Sequence, residues 1–133
     1  MTVQEIKNNL KKFDRKQLYK DKVAKMQRSM EHLGVDGIIC FKPQNTFFLS
    51  GFNPVLYSHP VVVIVPREGD AVLLVHSLRA RHSADEAAID DIRLFGMWAN
   101  QKPIANDAYT AIGIIADDLK LKGKVIGYEG DFI

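Results

Sequence analysis

Val61-Val62-Val63-Ile64-Val65, then Pro66-Arg67-Glu68-Gly69-Asp70, then Ala71-Val72-Leu73-Leu74-Val75: these residues decide the fold. The first run is β-branched throughout, has no polar face to offer water, and reads as a strand buried on both sides. The middle run carries Pro, Gly and Asp and reads as a turn. The last run is the returning strand, so 61–75 is a β-hairpin. Outward from it, 37–41 is a short apolar strand bounded by Gly37 and Pro43, and 45–49 is a second short apolar segment ended by Ser50-Gly51. Segments 92–95 and 125–128 read as two more strands. Residues 52–60 hold two prolines and no period, which predicts an irregular loop.

Helices fill the spaces between. Thr2 and Glu5 form a capping box, with Val3, Ile6, Leu10 and Phe13 following at helical spacing. Asp14 to Gln17 is a second, weaker box. Tyr19, Val23, Met26, Met30 and Leu33 then form one apolar stripe, and Gly34 stands at the C′ position, so 15–33 is a helix packed on a core. Ser77 can cap a helix running to about Ala88. Asn106 or Asp107 starts another, which Gly123 is expected to end. Strands and helices alternate around a hairpin. The fold class is therefore α/β: a mixed β-sheet with a central antiparallel hairpin, flanked by helices on both faces.

The 133 residues suit one domain, divided into a helical extension, 1–14, and the fold proper, 15–133. No apolar stretch approaches the ~20 residues that span a bilayer. The N-terminus has no apolar core of a signal peptide, so the cytoplasm is the expected compartment. Cys40 is the single cysteine and sits in an apolar run, which predicts a buried, inert thiol. The net charge of +2 conceals an asymmetry, because nine of the 18 Lys and Arg fall within residues 1–28. No aromatic residues interleave with these cations and no nucleic-acid motif follows. They read as a solvated helical face, with neither nucleic acid nor membrane as partner.

Few residues of the chain suggest chemistry. There is no phosphate loop and no nucleophile elbow. His82 and Glu86 stand at i and i+4 with His76 upstream, but no third ligand has a fixed spacing, and a mixed-charge helix surface accounts for them. Trp98, in the polar segment 96–103, reads as folded back over the core edge rather than offered to a partner.

The stretch Met30-Glu31-His32-Leu33-Gly34-Val35-Asp36-Gly37-Ile38-Ile39 is followed by Pro43-Gln44-Asn45-Thr46-Phe47-Phe48-Leu49-Ser50-Gly51-Phe52. This resembles the N-terminal domain of the creatinase/prolidase family, whose pattern is a helix, Gly-Leu-Asp-Ala, an apolar strand and Asn-Ile-x-Tyr-Leu-Thr-Gly-Phe. Phe48 replaces the usual Tyr and Ser50 the usual Thr. The hairpin, the later strand and helix, and the closing Val125-Ile126-Gly127-Tyr128-Glu129 follow in the family's order.

The resemblance implies the non-catalytic N-terminal domain of a hydrolase, foremost an Xaa-Pro dipeptidase. Chemistry in that family resides in a following pita-bread domain that holds divalent metal (Mn, Co or Zn) in the peptidases. The chain stops at Ile133, so it is expected to carry no catalytic residue and no metal or other cofactor of its own. Its implied partners are its own C-terminal catalytic domain and a second copy in a homodimer. A free-standing binding or oligomerisation module, and the domain of a creatinase-like amidinohydrolase, are the alternatives. The family's N-terminal domain closes over the neighbouring subunit's active site with the loop after Gly-Phe. Here that loop is 53–60, and the implied substrate-binding residues are Phe52, Tyr57 and His59. Tyr57 offers an aromatic wall with a hydroxyl, and His59 a group of the type that titrates near neutrality. Creatinase holds a carboxylate with an arginine from this region, whereas no Arg or Lys lies between Gly51 and Pro66.

Overall fold

The computed structural model describes residues 1–11 and 14–129. The expectation for Phe13, and for the Leu10 side chain, lies outside the described residues. In chain order the elements are α1 (Val3–Lys11), α2 (Arg15–Leu33), β1 (Gly37–Cys40), α3 (Pro43–Ser50), β2 (Val62–Pro66) and β3 (Val72–His76). A 3₁₀ turn (Ser77–Arg79), α4 (Ala80–Glu86), β4 (Asp91–Phe95), α5 (Ala108–Asp118) and β5 (Ile126–Tyr128) follow.

The strands form one sheet of order β4-β3-β2-β1-β5. The hairpin is at its centre: β2 pairs antiparallel with β3 and also with β1. The outer pairs, β3–β4 and β1–β5, are parallel. The period of two in β2 divides its side chains between two cores. Val61, Val63 and Val65 pack with Val23, Met30, Leu49 and Phe52 on the face under α2 and α3. Val62 and Ile64 pack with Ala111 and Ile115 of α5 on the other face. Every residue of β2 is buried, as a run without a polar face demands.

Caps place the helices where the sequence puts them. The Thr2 hydroxyl accepts from the Glu5 amide at 3.1 Å, and the Glu5 carboxylate accepts from the Thr2 amide at 3.4 Å, which is the reciprocal capping box. Asp14 accepts from the Gln17 amide at 3.0 Å, and Gly34 closes α2 at φ 71°. Met30 is buried and Met26 packs on the same core, but Leu33 at the last turn is exposed. Three details differ from the sequence reading. Segment 45–49 lies within a helix, α3, opened by Pro43 and closed by Gly51 at φ 70°. Helix α5 ends at Asp118, before Gly123, because Lys120 takes the left-handed conformation and the Leu121 amide donates back to Ala116 O at 2.8 Å. The helix after β3 is shorter than 77–88, and its first turn is capped by His76 rather than by Ser77.

Candidate functional site: the loop beyond the strand ends

Strands β1, β3, β4 and β5 run the same way, so their carboxyl ends lie together at one end of the sheet, where β2 begins. Open α/β sheets place their binding sites outside such ends. Four connections meet there: the β1–α3 corner, the loop 52–60 that enters β2, the turn after β3 and the turn after β4.

The β1–α3 corner is closed by Glu129, the residue directly after β5. One carboxylate oxygen accepts from the amides of Phe41 and Lys42, and the other from Asn45 Nδ2 at 2.8 Å. Lys42, at the N-cap of α3, has no side-chain capping bond, so a carboxylate 87 residues away serves the helix N-terminus instead. The reason for a Glu at the end of the closing strand is therefore structural. Cys40 lies beneath this corner. Burial, and then the Glu129 charge, push its thiol up to about 11, so the thiolate that would react is disfavoured.

The loop 52–60 begins in the core. Phe52 is 0% exposed and meets the His82 ring edge-on, with centroids 4.8 Å apart. It is thus a floor beneath the loop, with no surface of its own. Its amide donates to the buried Ser50 hydroxyl at 3.1 Å. Above it the chain is exposed at Val55, Leu56 and Tyr57. Val55 is held at φ 70°, and its amide donates to Asn53 Oδ1 at 2.9 Å in an Asx turn.

Tyr57 is 38% exposed. Burial and the Glu86 carboxylate raise the pKa of its phenol, while a hydrogen-bonding interaction with Thr46 of α3 opposes them, burial being the largest influence. Glu86 in turn stands 2.7 Å from His82 Nε2, both half-buried. His59 is half-buried and stacks on His76, centroids 3.8 Å apart and rings 20° from parallel. The Arg79 guanidinium donates to Leu56 O at 3.2 Å.

The structure thus brings Tyr57 and His59 to the same end of the sheet and keeps Phe52 beneath them. Sequence reading missed His76 and Arg79 as neighbours of this loop. In the sequence His76 stands just past the strand 71–75, upstream of His82 and Glu86, and Arg79 is one charge of a mixed-charge helix surface. Arg79 places a cation beside this loop, whose own sequence has no Lys or Arg. Trp98 is 51% exposed, contrary to the packed reading. Gly96 and Ala99 both take positive φ in this segment, which returns to β4 where the Gly96 amide donates to Ala105 O at 2.9 Å. At Gly96 a Cβ would collide with the His76 ring, so glycine is required there for contact as well as for φ. His76 and His82 serve different neighbours, and among the described residues no group of three His, Cys, Asp or Glu could hold a metal ion. No helix among them is long and apolar enough to cross a membrane.

Fold and site together define a mixed-sheet domain that carries a loop beyond its strand ends. The family model described as Creatinase/Prolidase N-terminal domain matches residues 22–133, and the chain belongs to that family. Its fold is similar to a prolidase from Thermococcus sibiricus at 19% identity and a TM-score of 0.63, covering 86% of this chain and 29% of that one. It is similar to the dipeptidase PepE from Mycobacterium ulcerans at 15% identity and 0.65, covering 90% and 30%. The N-terminal domain of an Xaa-Pro dipeptidase from Lactobacillus brevis matches at 10% identity and a TM-score of 0.65, covering 81% of this chain and 75% of that one. The chain therefore spans under a third of the prolidase and of PepE. No curated protein matches it.

Proposed function

We propose that the chain acts as the non-catalytic N-terminal domain of a creatinase/prolidase-like hydrolase, an Xaa-Pro dipeptidase in its full-length form. In this reading residues 15–133 assemble the homodimer and residues 1–14 extend it. The loop 53–60 closes over the active site of the neighbouring subunit, where Tyr57 and His59 meet substrate and Phe52 supports them. The divalent metal (Mn, Co or Zn) belongs to the C-terminal domain, and the enzyme works in the cytoplasm. The observation that carries the reading is the placement of the loop. It lies beyond the carboxyl ends of four strands, exposes Val55, Leu56 and Tyr57, and is fastened by side chains rather than by the sheet. An amidinohydrolase parent is the second reading, favoured by Arg79, whose guanidinium borders the loop and suits a carboxylate.

The test uses both the chain and its full-length parent. The chain alone should not turn over Xaa-Pro dipeptides with Mn²⁺ or Co²⁺. His59→Ala and Tyr57→Phe should change the stability of the chain by no more than about 0.5 kcal/mol. In the parent the same changes should lower kcat/KM for Xaa-Pro dipeptides, through KM if the residues only bind and through kcat if they orient the transition state. Stable variants with wild-type kinetics would remove Tyr57 and His59 from the site. Creatine turnover without Xaa-Pro cleavage would establish the second reading.

A further inference from the structure

Three features meet at His76. Its Nδ1 accepts from the Leu78 amide at 3.0 Å and so caps the 3₁₀ turn. One face of its ring carries His59 of the loop. Phe95 stands edge-on to the ring at 5.3 Å, and Gly96 closes against its Nε2 edge. An Nδ1 that accepts a hydrogen bond is unprotonated, so the neutral ring carries its proton on Nε2.

We propose that His76 is a pH-sensitive latch for the loop 53–60: the neutral ring holds the loop down through the stack with His59, and protonation of His76 releases it. A proton on Nδ1 turns the acceptor into a donor facing the Leu78 amide, which breaks the cap. It also places a cation at the N-terminus of the turn, where positive charge is disfavoured. The charged and titratable groups bearing on the ring are His59 from the loop and Arg79 from the turn, both basic. From β4 the contacts are Phe95 and Gly96, which do not ionise, and the α4 carboxylate Glu86 is engaged by His82. Burial first, then His59 and Arg79, lower the pKa of His76 below its ordinary 6.5.

The sign follows from that depression. Above about pH 6.5 both folded and unfolded chains hold His76 neutral and the latch is closed. As pH falls, the unfolded chain takes up its proton first, so His76 makes the fold less stable until the folded ring protonates as well. Release follows the lower, folded midpoint. The proposal rests on the preceding reading only for its consequence, that acid opens the cover over an active site.

The experiment uses the 133-residue chain, titrated from about pH 7.5 to about pH 5 and followed by NMR. The His76 ring shifts and the backbone amide shifts of Tyr57, Ser58 and Leu78 should share one midpoint below 6.5. One pH unit below it, the closed population should have fallen about tenfold. In His76→Asn, whose Oδ1 can still cap the turn, the loop amides should lose the transition that follows the His76 midpoint. A loop transition that keeps the native His76 midpoint in His76→Asn, or ring and loop midpoints that differ in the native chain, would overturn the latch. The second comparison needs no variant, so a misfolded His76→Asn would not rescue the idea. A failed latch leaves the loop-closure reading standing. Wild-type kinetics of the full-length His59→Ala and Tyr57→Phe variants would sink that reading and leave the latch.

Discussion

The β1–α3 corner and the loop 52–60 stand side by side at one end of the sheet and are held in opposite ways. At the corner, a single carboxylate takes two main-chain amides and one side-chain amide, all directed at the start of a helix. Hydrogen bonds to an ionised acceptor are about twice as strong as neutral ones, and main-chain donors cannot rotate away. The loop is fastened by the His59–His76 ring stack, the Arg79 guanidinium bond and the Tyr57–Thr46 interaction, with Phe52 beneath it. Each of these fastenings is a separate contact made by a different side chain. The difference teaches how one sheet end can be both scaffold and presenting surface: one carboxylate gathers three donors at the corner, so those bonds hold one another in place, while each fastening of the loop stands alone and can be exchanged for a bond to a substrate or a partner.

The largest test removes the floor common to both. Val63 is fully buried in the central strand, among Leu49 and Phe52 on the α2–α3 face. Val63→Asp places a carboxylate there without a partner, at a cost of several kcal/mol against a total stability of about 5–15 kcal/mol. The chain should be unfolded by circular dichroism at room temperature. A native melt would mean that corner and loop do not share this core.

Glu129→Ala makes the corner more like the loop. The amides of Phe41 and Lys42 would lose a charged acceptor, and the expected loss is about 2 kcal/mol, seen as a melting midpoint lower by roughly 5–10 °C. Glu129→Gln keeps an acceptor oxygen and should lose less. An unchanged midpoint for Glu129→Ala would show that the corner is no more firmly tied than the loop.

The smallest effect sharpens the contrast by showing what an ion pair does without burial. Lys16 reaches Asp90 at 2.8 Å, but the two side chains are 60% and 69% exposed. Exposed pairs of this kind contribute little. Lys16→Ala should leave the melting midpoint within error. A fall comparable to that of Glu129→Ala would mean that charge alone, rather than charge directed at main-chain donors, holds the corner.

Segments whose structure follows from their own composition were legible in the sequence. The run 61–65 announces a doubly buried strand because it offers water nothing, and α2 announces itself through its stripe and its two caps. Trp98 was misread because a single aromatic in a polar segment carries no period from which burial could be judged. Segment 45–49 looked like a strand's length of apolar residues. Pro43 at its start and Gly51 at its end make it a helix, and Glu129 secures that helix from the far end of the chain.

By itself the sequence determined the elements other than α3, the central hairpin, the burial of Cys40 and the family to which the chain belongs, because periodicity, caps and turn residues act over a few positions. Only the tertiary structure decided that Glu129 would cap α3, that Arg79 would reach Leu56 and that His76 would lie under His59. A strand's pattern states that it must be covered, but not by what. Contacts between residues far apart depend on strand order and register, and no local pattern encodes which side chain will arrive.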